Sequence, residues 1–133
     1  MAESRVCFLR AIGGLTRQKR AVHPISEKDY SALAFPELAE LVDALDEHGD
    51  GMFAELGGDV LTIEFDDKAR YIVNSHLAAR QIWLAADRSA WHFDYVDAQK
   101  AWIDRKTGAE LWAQLESLLG KKLGRSVKLR RKR

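Results

Sequence analysis

Eleven acidic residues, Glu37, Glu40, Asp43, Asp46, Glu47, Asp50, Glu55, Asp59, Glu64, Asp66 and Asp67, fall in one window that holds no Lys or Arg. Carboxylates at that density can supply oxygen ligands for hard cations such as Fe(III), Fe(II), Mn(II) and Ca(II). They can equally form a negative surface that draws in a basic partner, or a plain solvated face. Cation binding by such a surface is weak and hydrated, because exposed charges are screened within about 10 Å at 0.1 M salt. Other chemistry has little material. Cys7 is the single cysteine, so one chain has no disulfide framework and no thiol set for zinc or a cluster. There is no Gly-x-Ser-x-Gly nucleophile context, and Gly57-Gly58 reads as a turn between strands, not a phosphate cradle. His23, His48, His76 and His92 lack the i,i+4 pairing of a zinc-binding helix and are expected to be structural or solvent-exposed.

The scaffold that must position these acids is a chain of 133 residues, 47% hydrophobic and 31% charged, enough for one domain with its own core. No apolar stretch approaches the roughly 20 residues that span a bilayer, which predicts a soluble protein. The formal net charge of +1 conceals a segregation. Residues 1–25 carry five basic residues against Glu3, and residues 121–133 carry eight Lys/Arg and no acid. The stretch between them holds nineteen acids against eight basic residues, so an acidic body has basic ends. Residues 1–25, with Gly13-Gly14 and His23-Pro24, read as a flexible basic leader: an organellar transit peptide, an unstructured bacterial extension or a mis-set start codon.

Ser26 offers an N-cap with Asp29 three residues on, opening a helix to about His48. Leu38, Leu41, Val42 and Leu45 share its apolar stripe, while Glu40, Asp43 and Glu47 project from the opposite side and Asp46 flanks them. Pro36 is expected to kink or restart this helix, and Gly49-Asp50-Gly51 stops it. The period then changes to two: 61–65 and 71–73 form a hairpin, followed by strands over 80–85, 91–95 and 101–103. With Ile82 and Leu84 in the core, Trp83 faces water, where a large aromatic commonly marks a binding patch. A second helix runs from Ala109 to about Lys122 and is ended by Gly124; a short strand over Ser126–Leu129 and an exposed tail, Arg130-Arg131-Lys132-Arg133, follow. Consecutive strands without intervening helices pair as antiparallel meanders, and two amphipathic helices cover one face of such a sheet. The fold class is α+β: a two-layer α-β sandwich with an antiparallel sheet of about five to seven strands, and the N- and C-terminal helices on one face.

Several ordered motifs resemble the frataxin family. They are Asp59-Val60-Leu61-Thr62-Ile63-Glu64-Phe65, Tyr71-Ile72-Val73-Asn74, Gln81-Ile82-Trp83-Leu84, His92-Phe93-Asp94 and Trp102-Ile103-Asp104-Arg105-Lys106-Thr107-Gly108. Asn74 followed by Gln-Ile-Trp-Leu is similar to the family's central signature, Ser26-Glu27-Lys28-Asp29-Tyr30 to the start of its first helix and Glu110-Leu111-Trp112 to the start of its second. The resemblance covers residues 26–129, and its loop lengths are similar to those of the bacterial, CyaY-type branch. It implies an accessory protein of iron–sulfur cluster assembly that binds iron (Fe2+/Fe3+) weakly. Such a protein delivers iron to, or regulates, a cysteine desulfurase and its iron–sulfur scaffold protein. It places Asp43, Asp46 and Glu47 on an acidic helix ridge, Asp50 in the loop beyond and Glu55 on the first strand, and assigns Asn74, Gln81 and Trp83 to a partner-binding sheet surface. His76 and Ala78 stand where the signature usually carries Gln and Pro. Gly51 and Phe53 replace acids common in relatives, so the ridge is thinner.

The expectations that follow are a non-enzymatic protein in which any ferroxidase rate is slow, since no Glu-x-x-His pair of a di-iron bundle occurs, and a monomer with iron-dependent oligomers as the alternative. The compartment implied is the bacterial cytoplasm, or the mitochondrial matrix if the leader is a transit peptide. An interaction regulator with incidental iron binding is the alternative function. Nucleic acid is disfavoured as a partner, because the acidic body repels phosphate and the basic tail lacks interleaved aromatics.

Overall fold

The computed structural model describes residues 25–131, so all of the basic leader but Ile25, including Cys7, and the last two tail residues lie outside the described residues. Helix α1 (Glu27–Asp46) opens where Ser26 Oγ accepts a 3.0 Å hydrogen bond from Asp29 N. It buries Leu38, Leu41 and Leu45 of the expected stripe, with Tyr30, Ala34 and Ala44 beside them, while Val42 is only partly buried. Pro36 sits inside this one element and does not restart it. The carbonyl its ring deprives of a partner belongs to Ala32, and both residues face water, which can replace the lost bond.

Six strands follow: β1 (Met52–Gly57), β2 (Val60–Phe65), β3 (Arg70–His76), β4 (Gln81–Ala86), β5 (Ser89–Val96) and β6 (Ala101–Asp104). They pair in sequence order as an antiparallel meander. The tight links have a local cause: Asp87 and Arg88, both at positive φ, make the two-residue turn that suits the twist of the β4–β5 hairpin. Between β3 and β4 the chain makes a short 3-10 turn, Leu77–Ala79, with His76 capping its start and Arg80 in the left-handed region at its end. Helix α2 (Leu111–Leu123) is capped by the Glu110 carboxylate, which accepts from the amides of Trp112 and Ala113, and it ends at Gly124 with φ 71°.

Alternation along the strands sends Leu61, Ile63, Phe65, Tyr71, Val73, Ile82, Leu84, Phe93 and Trp102 into the layer beneath the helices. The other sheet face carries Phe53, Glu55, Asn74, His76, Gln81, Trp83, His92 and Asp94. The two-layer α+β sandwich is thus the fold expected. One element differs: residues 126–129 form no strand. The segment keeps a burial period of two, with Val127 and Leu129 buried. It runs along the helices, where Leu129 N donates to Glu116 Oε2 and the Lys128 carbonyl accepts from His48 Nε2. Side chains from α2 and from the turn after α1, not a strand edge, bond these two backbone groups, so the burial pattern of a strand appears without a ladder.

Candidate functional site: an acidic helix end and an open sheet face

Asp43, Asp46 and Glu47 occupy the last turn of α1 and its C-cap, Asp50 lies in the following loop, and all four are exposed. Their spacing of three and four residues puts Asp43, Asp46 and Glu47 side by side. A helix C-terminus carries partial negative charge, and α1 has no basic residue in its last turn, so these carboxylates sit where the helix disfavours them. The side chains of Asp43, Asp46, Asp50 and Glu55 make no hydrogen bond or ion pair with any described residue. Glu55 stands apart from the helix acids. It alternates with buried Ala54, opposite Thr62, on the face of β1 turned away from α1. Among the described residues no three His, Cys, Asp or Glu side chains converge into a set that could hold a metal ion. The chemistry available at the helix end is therefore attraction of a hydrated cation or of a basic surface, not enclosure.

On the open sheet face, register brings Asn74, Trp83 and His92 into one row, and His76, Gln81 and Asp94 into the next. Trp83 was expected to stand in water. It lies on that face, but it is half-buried between two imidazoles, stacked on His76 at 3.9 Å and on His92 at 4.3 Å between ring centroids. Its indole Nε1 donates to Gln81 Oε1 at 2.8 Å, Gln81 Nε2 donates to Asp94 Oδ1 at 3.1 Å, and Arg105 Nε donates to Asp94 Oδ2 at 3.1 Å. Each polar atom in the chain is committed to the next, so the indole is held in one orientation. Asn74 Nδ2 turns to the Ser75 carbonyl.

Tyr30 supports this arrangement from below. Its hydroxyl donates to the Gln81 carbonyl at 2.6 Å and accepts from His76 N at 2.8 Å, pinning the ends of β3 and β4 where the 3-10 turn parts them. Burial keeps this phenol protonated above its ordinary range. The sequence marked Asn74, Gln81 and Trp83, and the structure brings them together. His76, His92, Asp94, Arg105 and Tyr30 were not marked. Period-two alternation puts the histidines and Asp94 on the face of Trp83, yet only the pairing register makes them neighbours, and nothing in the sequence signals the reach of Tyr30.

In the tail, Arg130 and Arg131 are exposed as expected, but Arg131 also forms ion pairs with Glu37 at 2.8 Å and Glu40 at 3.3 Å. No helix among the described residues is long and apolar enough to cross a membrane.

Comparison with known proteins adds a consistent set of matches. The model of the frataxin-like domain matches residues 23–125. The chain is 36% identical over 92 residues to the iron–sulfur cluster assembly protein CyaY of Vibrio cholerae, covering 69% of this chain and 86% of that protein. It is 33% identical over 103 residues to the protein of the same name from Vibrio vulnificus, covering 77% and 97%. Among solved structures, frataxin from Psychromonas ingrahamii superposes with a TM-score of 0.71 at 25% identity, over 78% of this chain and 97% of that one. Yeast frataxin superposes with a TM-score of 0.61 at 25% identity, over 86% and 95%.

Proposed function

This chain belongs to the frataxin-like family, and from that premise we infer that it serves iron–sulfur cluster assembly as an accessory protein that carries iron loosely and docks on the assembly machinery. Iron is cargo in this reading. The helix-end carboxylates Asp43, Asp46, Glu47 and Asp50 attract Fe2+ or Fe3+ through its hydration shell, and Glu55 extends the negative field along β1. The open face, with Trp83 fixed between His76 and His92 and flanked by Asn74 and Gln81, meets the partner, a cysteine desulfurase or its scaffold. The domain proper is residues 26–129, and the cytoplasm is its place of work.

The observation that carries the reading is a group of exposed carboxylates held at a helix C-terminus, three of which, Asp43, Asp46 and Asp50, have side chains without a partner among the described residues. Electrostatics alone would not put them there, and a bound cation relieves the repulsion. Titrating the protein with Fe(II) under anaerobic conditions should move the amide signals of Asp43, Asp46, Glu47 and Asp50 at millimolar or lower iron. Shifts confined to other parts of the chain would overturn the iron site. The rigid indole favours a second reading, in which docking is the function and iron incidental. A rigid aromatic anchor surrounded by satisfied polar groups is the form taken by binding hot spots. Reversing charge at Asp46 and Glu47 separates the two: desulfurase capture that persists after iron binding is lost assigns docking to the sheet face alone.

A further inference from the structure

Glu37 and Glu40 on α1, Glu110 at the N-cap of α2 and the indole of Trp112 surround the Arg131 guanidinium. Arg131 Nη2 donates to Glu37 Oε2 at 2.8 Å and Nη1 to Glu37 Oε1 at 3.1 Å, a two-pronged match of fork to carboxylate. Nη1 also reaches Glu40 Oε1 at 3.3 Å, and Nη2 lies 3.9 Å from Glu110 Oε2. The guanidinium carbon stands 4.3 Å from the centre of the Trp112 ring, whose Nε1 donates to Glu37. An aromatic floor and carboxylates aimed at both guanidinium edges suit a flat, forked cation and not a compact ammonium.

The manner in which Arg131 enters this pocket separates the pocket from the fold. The C-terminal segment is fixed by Val127 and Leu129 in the core and by the bonds from Leu129 N to Glu116 and from His48 to the Lys128 carbonyl. Beyond Leu129 its only described attachment is the Arg131 head group, whose side chain is 36% exposed. Another guanidinium can therefore replace it contact for contact while Val127 and Leu129 stay in place. We propose that Glu37, Glu40, Glu110 and Trp112 form a guanidinium-binding site, filled in cis by Arg131 and open in trans to an arginine side chain of a partner protein. Glu40 lies one turn of α1 before Asp43, but Asp43, Asp46, Glu47 and Asp50 make none of the contacts to Arg131, and the site is on the helical layer, not the sheet face that carries Trp83, so its test is separate from those of the iron and docking assignments. A cis arginine competes at an effective concentration on the order of millimolar, so trans binding to the intact chain is masked unless the rival is stronger or the segment is displaced.

The test is chemical rescue of the full-length Arg131→Ala variant with L-arginine amide, using L-lysine amide at the same concentration as control. The variant should melt below the parent. Ten millimolar arginine amide should restore part of that loss and shift the Trp112 indole N–H resonance, while lysine amide should do neither. The parent protein should not respond. Equal effects of the two amides would reduce the site to general charge screening and overturn the proposal, as would an indole signal that arginine amide leaves unmoved. Should Arg131→Ala fail to fold, Arg131→Lys keeps a cation on the segment but loses the fork. The same rescue is expected there, and its absence is equally decisive.

Discussion

Two groups of acids on α1, less than three turns apart, have opposite fates. Glu37 and Glu40 are drawn into a pocket with Arg131 and Trp112, Glu37 almost wholly buried. Asp43, Asp46 and Glu47 stand exposed at the C-terminal end of the same helix. Composition cannot distinguish the two, since both belong to one run of acids without a Lys or Arg. The difference lies in what tertiary packing brings opposite them: a guanidinium and an indole for the first group, solvent and the negative end of the helix for Asp43 and Asp46. The first group's charge is spent inside the molecule, whereas the carboxylates of Asp43 and Asp46 meet no partner among the described residues.

The largest expected effect tests the closed group. Replacing Glu37 by Ala takes the acceptor from a buried indole N–H and the two-pronged partner from Arg131. Arg131 can turn to water but Trp112 cannot, so the loss should be about 1–3 kcal/mol, read as a lower urea midpoint with unchanged slope. The same change at Asp46 should cost nothing. If the two substitutions lower the midpoint equally, the distinction between closed and open acids fails.

How far the sequence shows this division depends on the range of the interactions. Helix α1, the strand meander and the capping of Ser26 follow from patterns a few residues long, and they appear as expected. The stripe from Leu38 to Leu45 and the face of Trp83 follow from periods of 3.6 and two. The Arg131 contacts join residues 91 or more positions apart in the case of Glu40 and Glu37, and the Trp83 sandwich depends on the register of three strands. No local pattern encodes either one. The 126–129 segment marks the same limit from the other side: alternating burial is local and legible, but whether it joins a sheet depends on which edge is free and near.

The sheet face comes next in size of effect. Trp83→Ala removes two stacked contacts and the bond to Gln81, and the fold should lose about 1–2 kcal/mol, more than a bare surface residue would cost. Partner binding should fall far more steeply, by a hot-spot amount of about 2 kcal/mol or more, measurable as a weakened pull-down of the desulfurase. Tyr30→Phe sharpens the point from beneath. It leaves every residue on the open face in place but releases the ends of β3 and β4, at a cost of about 1–2 kcal/mol for two lost hydrogen bonds. The Trp83 indole resonance should shift with it. An unchanged indole signal would mean that the stack holds itself without Tyr30.

The smallest effect has the opposite sign. Asp43→Asn and Asp46→Asn remove negative charge from the end of a helix dipole and from beside other carboxylates. Each should therefore stabilise the fold, by about 0.3–1 kcal/mol at low salt. Salt screens exposed charges within about 10 Å at 0.1 M, so the gain should shrink as ionic strength rises. The penalty for Glu37→Ala should persist, because packing and a buried hydrogen bond make up most of it. Iron binding should weaken in the same two variants. A protein that grows more stable as it loses cation affinity is one in which these acids are kept for an external ligand. If the Asn variants are instead less stable at every salt concentration, the exposed acids are part of the fold after all, and the two groups on α1 differ only in degree.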